Sequence, residues 1–224
     1  MRTIRMLTAL LVLSGVAGAA QAAEARWVEG RHYELIVPAQ PTQVPAGRVE
    51  VVEVFSYGCP ACNQFQPVMH ALVAKLPKKA QLVYVPASWN PAESWPLFQR
   101  AFLTAQVLGI AERTHQEMYD AIWKTGELAV VDAATHQLKQ PQPTMGEVAR
   151  FYARVGGVTQ QQVLETARSF DVDMKMMQAD ELVKAYRVEG TPTLIVAGKY
   201  RVKNSSVRSV DELIELVLWL VERN

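Results

Sequence analysis

Apolar and polar positions change their period several times along this chain, and each change marks an element. Residues 48–56, RVEVVEVFS, are rich in β-branched and aromatic side chains and end in a nearly continuous apolar run, the pattern of a strand buried on both faces. From Pro60 to about Leu76 the apolar residues Phe65, Val68, Met69, Leu72, Val73 and Leu76 recur at intervals of three and four. That spacing predicts an amphipathic helix kinked by Pro67. Residues 81–85, ended by Pro86, read as a second strand, so strand, helix and strand predict a right-handed βαβ unit with parallel strands. A shorter strand candidate, residues 33–37, precedes the Pro-rich loop PAQPTQVPAG.

Between residues 92 and 170 strand patterns disappear and helical periodicity takes over. Thr144-x-x-Glu147 and Thr159-x-x-Gln162 are capping boxes. Trp95, Phe98, Phe102 and Leu103 mark one apolar face, and Met118, Ile122 and Trp123 another. This predicts three or four short helices inserted into an α/β domain. A helix over 174–186 returns the chain to VEGTPTLIVAGKYRV, where 193–196 and 200–203 flank Ala197-Gly198-Lys199 as an antiparallel hairpin. Ser209-x-x-Glu212 opens a last helix with Leu213, Ile214, Val217, Leu218 and Val221 in one stripe. The expected organisation is therefore an α/β domain in two parts, 23–90 and 173–224, around an all-helical insertion at 91–172.

The first residues change the picture of where the chain works. Arg2 and Arg5 precede an uncharged stretch and then Ala20-Gln21-Ala22, the order of a secretory signal peptide, here 1–22 with cleavage after Ala22. Its apolar run of about 15 residues falls short of the roughly 20 a spanning helix needs. Cleavage removes Arg2 and Arg5 and takes the formal net charge from +1 to −1, so there is no electrostatic reason to bind nucleic acid.

Export sharpens the meaning of the two cysteines, both inside FSYGCPACNQF. A structural framework would scatter cysteines along the chain, whereas one adjacent pair cannot staple distant segments. Cysteines at i and i+3 in a first helical turn share a face and can bridge. Pro60 suits N1, which puts Cys59 at the N-cap. There the unpaired backbone N–H groups and the positive end of the helix dipole favour thiolate, making Cys59 the exposed nucleophile and Cys62 the shielded, resolving thiol. Zinc would need two more ligands and there is no third cysteine; of His32, His70, His115 and His136, His70 lies two turns after Cys62 but reads as a surface residue. No metal or cofactor is implied. An inert disulfide closing so short a loop would add little stability.

VEVFSYGCPACNQF, the later EGTPTLIVAGKY and the helical insertion between them together resemble the DsbA family of periplasmic thiol:disulfide oxidoreductases, which have a thioredoxin fold. The resemblance spans about residues 31–224. It implies that Cys59 is the nucleophile and Cys62 the resolving thiol. It also implies that Thr191-Pro192 is the cis-Pro loop lying against the disulfide, although read alone that dipeptide is an ordinary trans turn before a strand. Glu53, six residues before Cys59, corresponds to the family's buried acid, which would relay protons for Cys62; the Glu50-Val51-Val52-Glu53 pattern alone also allows a solvent-facing residue. Two departures stand out. Ala61 occupies the place where the best-known members have His, which implies a higher Cys59 pKa and a weaker oxidant, and Thr191 stands where Val is frequent before the cis-Pro. The 81–85 strand offers no evident basic partner for Glu53.

Three functions follow. One is a periplasmic donor of disulfides to reduced exported proteins, re-oxidised by a membrane partner of the DsbB type. Another is a reductase or isomerase of the same fold kept reduced, for which Ala61 and Thr191 argue. The third is a non-catalytic peptide-binding module whose groove is lined by Tyr57, Trp89 and the cis-Pro loop.

Overall fold

A computed structural model describes residues 26–132 and 134–224. The signal peptide expected at 1–22 lies outside them. Five strands form one mixed sheet: β1 (Tyr33–Leu35), β2 (Val49–Phe55), β3 (Ala80–Pro86), β4 (Thr193–Val196) and β5 (Tyr200–Val202), in the order β1-β5-β4-β2-β3. β2 runs parallel to β3 from Val49 opposite Ala80 to Phe55 opposite Pro86, and antiparallel to β4. All seven β2 residues are buried, as its apolar run predicts. β4 and β5 form the expected hairpin; Ala197 (φ 54°) and Gly198 (φ 62°) both take the left-handed conformation a tight hairpin turn requires. β1 is shorter than expected, because Val37 is already exposed and Pro38 after it has no N–H to donate to a ladder.

Helix α1 (Pro60–Lys75) crosses from β2 to β3 and continues through Pro67, which is exposed. The insertion supplies α2 (Trp95–Val107), α3 (Ala111–Trp123), α4 (Met145–Val155) and α5 (Gln160–Ala167). Both expected capping boxes are present, Thr144 with Glu147 and Thr159 with Gln162. α6 (Phe170–Ala185) starts a turn earlier than its apolar periodicity suggests: Ser169 caps it by accepting the Val172 N–H, and the first residue, Phe170, is exposed and so breaks the stripe. α7 (Val210–Glu222) closes the chain on a Ser209 cap. Among the described residues no helix is long and apolar enough to cross a membrane.

Two cores result. Val49 and Val51 of β2 join α1, α7 and the hairpin strands in an aliphatic cluster that includes Leu72, Leu213 and Leu216. Val52 and Val54, offset by one residue, join α6 and the insertion in an aromatic cluster with Phe55, Tyr57, Phe98, Phe102 and Tyr119. Both cysteines belong to the second cluster.

Candidate active site

The C-terminal end of β2 runs directly into the turn that carries the thiols. The Cys59 amide donates to the Ser56 carbonyl (3.1 Å) and the Gly58 amide to the Ser56 hydroxyl (3.2 Å), folding the chain back into α1. Gly58 is obligatory here for space: a Cβ on it would lie 2.7 Å from Trp95 Cδ1 and 2.9 Å from the Glu93 carbonyl oxygen. Cys59 is the N-cap of α1, in extended conformation, with exposed Pro60 at the first helical position, and its sulfur accepts the Cys62 N–H at 3.4 Å.

Across the turn, Thr191-Pro192 is a cis peptide bond, so the trans turn that the dipeptide alone suggests is replaced by the cis-Pro loop of the resemblance. The Cys59 thiol donates to the Thr191 carbonyl at 3.5 Å. Cys59 is 6% exposed and Cys62 0%, both as free thiols. The expected order of shielding holds, but Cys59 is itself buried rather than exposed as its place before the helix suggests, with the cis-Pro loop in contact with its sulfur.

The two thiols are electrostatically unequal. The hydrogen bond from the Cys62 thiol, then the Thr191 side chain and the N–H groups of Cys62 and Ala61, outweigh burial and bring Cys59 down to about 6. Burial, followed by the hydrogen bond to Cys59 and the charge of a thiolate there, pushes Cys62 far above the ordinary thiol range. The anionic form therefore resides on Cys59. Ala61 is exposed and contributes only its backbone N–H.

Glu53 is fully buried, pairs with Tyr84 in the β3 register, and has no partner on either carboxyl oxygen. Burial first, and negative charge at Cys59 second, raise it to about 8. The solvent-facing reading of this strand is thus overturned: β2 is the second strand from the edge, flanked by β3 and β4, with both faces covered.

One expectation about the groove needs correction, and one buried residue was missed. Tyr57 is 1% exposed and does not line a surface groove, because its ring is packed inside the aromatic core against Phe55, Phe98 and Tyr119; Trp89, 44% exposed, does face outward and packs against Trp95 with the rings tilted by 40°. His115, not singled out from its sequence context, is buried beneath the site, with Nδ1 2.8 Å from the Tyr57 hydroxyl. Burial lowers it to about 3, so the ring is neutral. His70 is exposed, as expected, and lines a cleft of about 780 Å³ beside β3, away from the thiols.

Residues 44–216 match the family model described as Thioredoxin. The thiol:disulfide interchange protein DsbA of Pseudomonas syringae is 33% identical over the whole of this chain and 96% of that protein. Its counterpart in Burkholderia cepacia is 31% identical over 96% of this chain and 94% of that one. Among solved structures, Pseudomonas aeruginosa DsbA superposes with a TM-score of 0.73 at 32% identity, covering 88% of this chain and 94% of that one. The oxidoreductase DsbA from Xylella fastidiosa gives 0.73 at 31%, covering 86% and 94%. Together with an unequal thiol pair at a helix N-cap and a cis-Pro loop against it, these similarities show that the chain belongs to the DsbA family of thioredoxin-fold thiol:disulfide oxidoreductases.

Proposed function

We propose that this oxidoreductase works in the periplasm as a disulfide donor to reduced exported proteins, through a mixed disulfide at Cys59. The observation that carries the reading is the unequal pair: Cys59 at the N-cap with its thiol near 6, Cys62 buried and held protonated. In the oxidised protein a substrate thiolate attacks the Cys59 sulfur, forming the mixed disulfide as the Cys59–Cys62 bond breaks. Cys62 leaves with the electron pair and takes a proton, for which the protonated Glu53 carboxyl is the source. A second substrate thiolate then attacks the substrate's own sulfur in the mixed disulfide. The substrate disulfide closes and Cys59 leaves as the stabilised thiolate, two electrons having passed to the protein. When no second thiol arrives, Glu53 takes the proton back and Cys62 attacks Cys59, releasing the substrate reduced. A membrane partner of the DsbB type returns the pair to the disulfide.

Substrate chain has room beside the sulfur. A cleft of about 550 Å³ runs along Gly190, Thr191 and Pro192 to Asn204, and an apolar groove of about 230 Å³ follows it past Phe65, Val68 and Val207. The signal-peptide pattern at 1–22 supports the periplasmic location. Oxidised protein is expected to transfer its disulfide to a reduced dithiol peptide, and Cys59→Ser to abolish transfer; retention of full activity in that variant would sink the proposal. Ala61, which places no imidazole beside the thiolate, favours a second reading in which the pair is kept reduced and acts as a reductase or isomerase. Trapping the thiols in cells with an alkylating agent separates the two: a mostly oxidised pair supports the donor, a mostly reduced pair the reductase.

A further inference from the structure

The turn that presents Cys59 is fastened from outside the thioredoxin part of the chain. Tyr57, two residues before Cys59, is held at both its polar ends by α3 of the insertion. Its hydroxyl lies 2.8 Å from His115 Nδ1, and its carbonyl accepts the Trp123 indole N–H at 2.8 Å. Trp95, at the start of α2, closes the third side by contact with Gly58. The His115 ring has little freedom of its own, with the Tyr84, Tyr119 and Phe102 rings at centroid distances of 4.3, 5.3 and 5.9 Å. Being neutral and buried, it lends the site no charge. What it supplies is a fixed point.

We propose that His115 and Trp123 are positioning residues for disulfide exchange: through their two hydrogen bonds to Tyr57, the helical insertion fixes the turn that holds the Cys59 sulfur over the first N–H groups of α1. The proposal rests on the reading of Cys59 as the nucleophile. Geometry gives the mechanism. The Cys62 N–H to Cys59 sulfur distance is 3.4 Å, where a few tenths of an ångström decide how well a thiolate is solvated, whereas the Thr191 carbonyl, 3.5 Å from the sulfur, accepts only from the protonated thiol. With a methyl group at position 61, no adjacent imidazole compensates when the turn loosens. Thiolate stability, and with it oxidising strength, is thereby tied to the insertion.

The test is a double-mutant cycle on the full protein, with Tyr57→Phe, His115→Phe, their combination, and Trp123→Phe. The readouts are the ultraviolet absorbance of the thiolate against pH and the redox equilibrium with glutathione. Each single change is expected to raise the Cys59 pKa by about half to one unit and to move the glutathione equilibrium about three- to tenfold toward the oxidised protein. The combination should go no further than the larger single effect, since both remove one bond. Urea unfolding of each oxidised variant is measured in parallel. Variants that lose stability yet titrate like the wild type would overturn the proposal, and so would shifts that add in the combination. Trp123→Phe keeps a ring at a half-buried position and carries the test alone if the His115 variants do not fold. A wild-type Cys59 that titrates as an ordinary thiol would instead defeat the underlying reading of the nucleophile, which the same curve reveals.

Discussion

The aliphatic core under α7 and the aromatic core under the insertion share one sheet, yet they are built to different standards. Among the described residues, no member of the aliphatic cluster has a buried side-chain polar atom without a partner. Around the thiols the indole nitrogen of Trp95, the hydroxyl of Tyr119, His115 Nε2 and both oxygens of Glu53 are unpartnered. Each such group costs on the order of 1–3 kcal/mol. One core supplies stability; the other gives some of it up to surround two sulfurs with groups of tuned proton affinity.

The two buried glutamates of β2 refine the contrast. Glu50 accepts the Gln43 backbone N–H at 2.6 Å and sits three residues from Glu53, which accepts nothing. Burial raises both carboxyls, but only Glu53 also responds to charge at Cys59. A perturbed acid is therefore not by itself the mark of a site; coupling to the reacting sulfur is.

Three substitutions bear on this division. Leu216→Ala, in the fully buried aliphatic core, is expected to cost about 2–5 kcal/mol by urea unfolding while leaving the Cys59 titration in place. A shifted titration there would mean the cores are not independent. Glu53→Gln should act in the opposite direction. With a folded value of about 8 against an ordinary 4.5, the wild-type folded state holds a proton that the unfolded chain releases between those pH values. The contribution of this group is thus fully present below pH 4.5 and is lost as pH rises through 8. Glutamine never ionises, so the variant should gain stability relative to wild type from pH 4.5 upward, reaching on the order of 2–4 kcal/mol above pH 8 in the reduced protein. The gain should be smaller in the oxidised protein, which has no thiolate to repel the carboxylate. Unfolding curves that coincide at pH 9 would contradict the assignment. Glu50→Gln should change stability by no more than about 1 kcal/mol, since the amide oxygen can keep the Gln43 bond, and should leave disulfide transfer untouched.

How legible this was from sequence follows the same line between local and distant causes. β2, α1 with its Cys59 cap, both capping boxes and the hairpin depend on spacing within a few residues, and the hydrophobic pattern reports them directly. The cis Thr191-Pro192 bond was legible only through resemblance, because the dipeptide alone favours a trans turn. His115 and Trp123 were not legible as partners of Tyr57. Fifty-eight and sixty-six residues separate them, and their meeting depends on how α3 docks, which no local pattern encodes. The same docking buries the Tyr57 ring, whose position next to the CPAC turn otherwise suggests a surface role.

The inequality of the two thiols is the claim on which the rest depends, and titrating the reduced wild-type protein by thiolate absorbance tests it most directly. The expected curve has a single thiol ionising near pH 6, with Cys62 still protonated beyond pH 9. A first ionisation near pH 9, or two thiols ionising together, would contradict it.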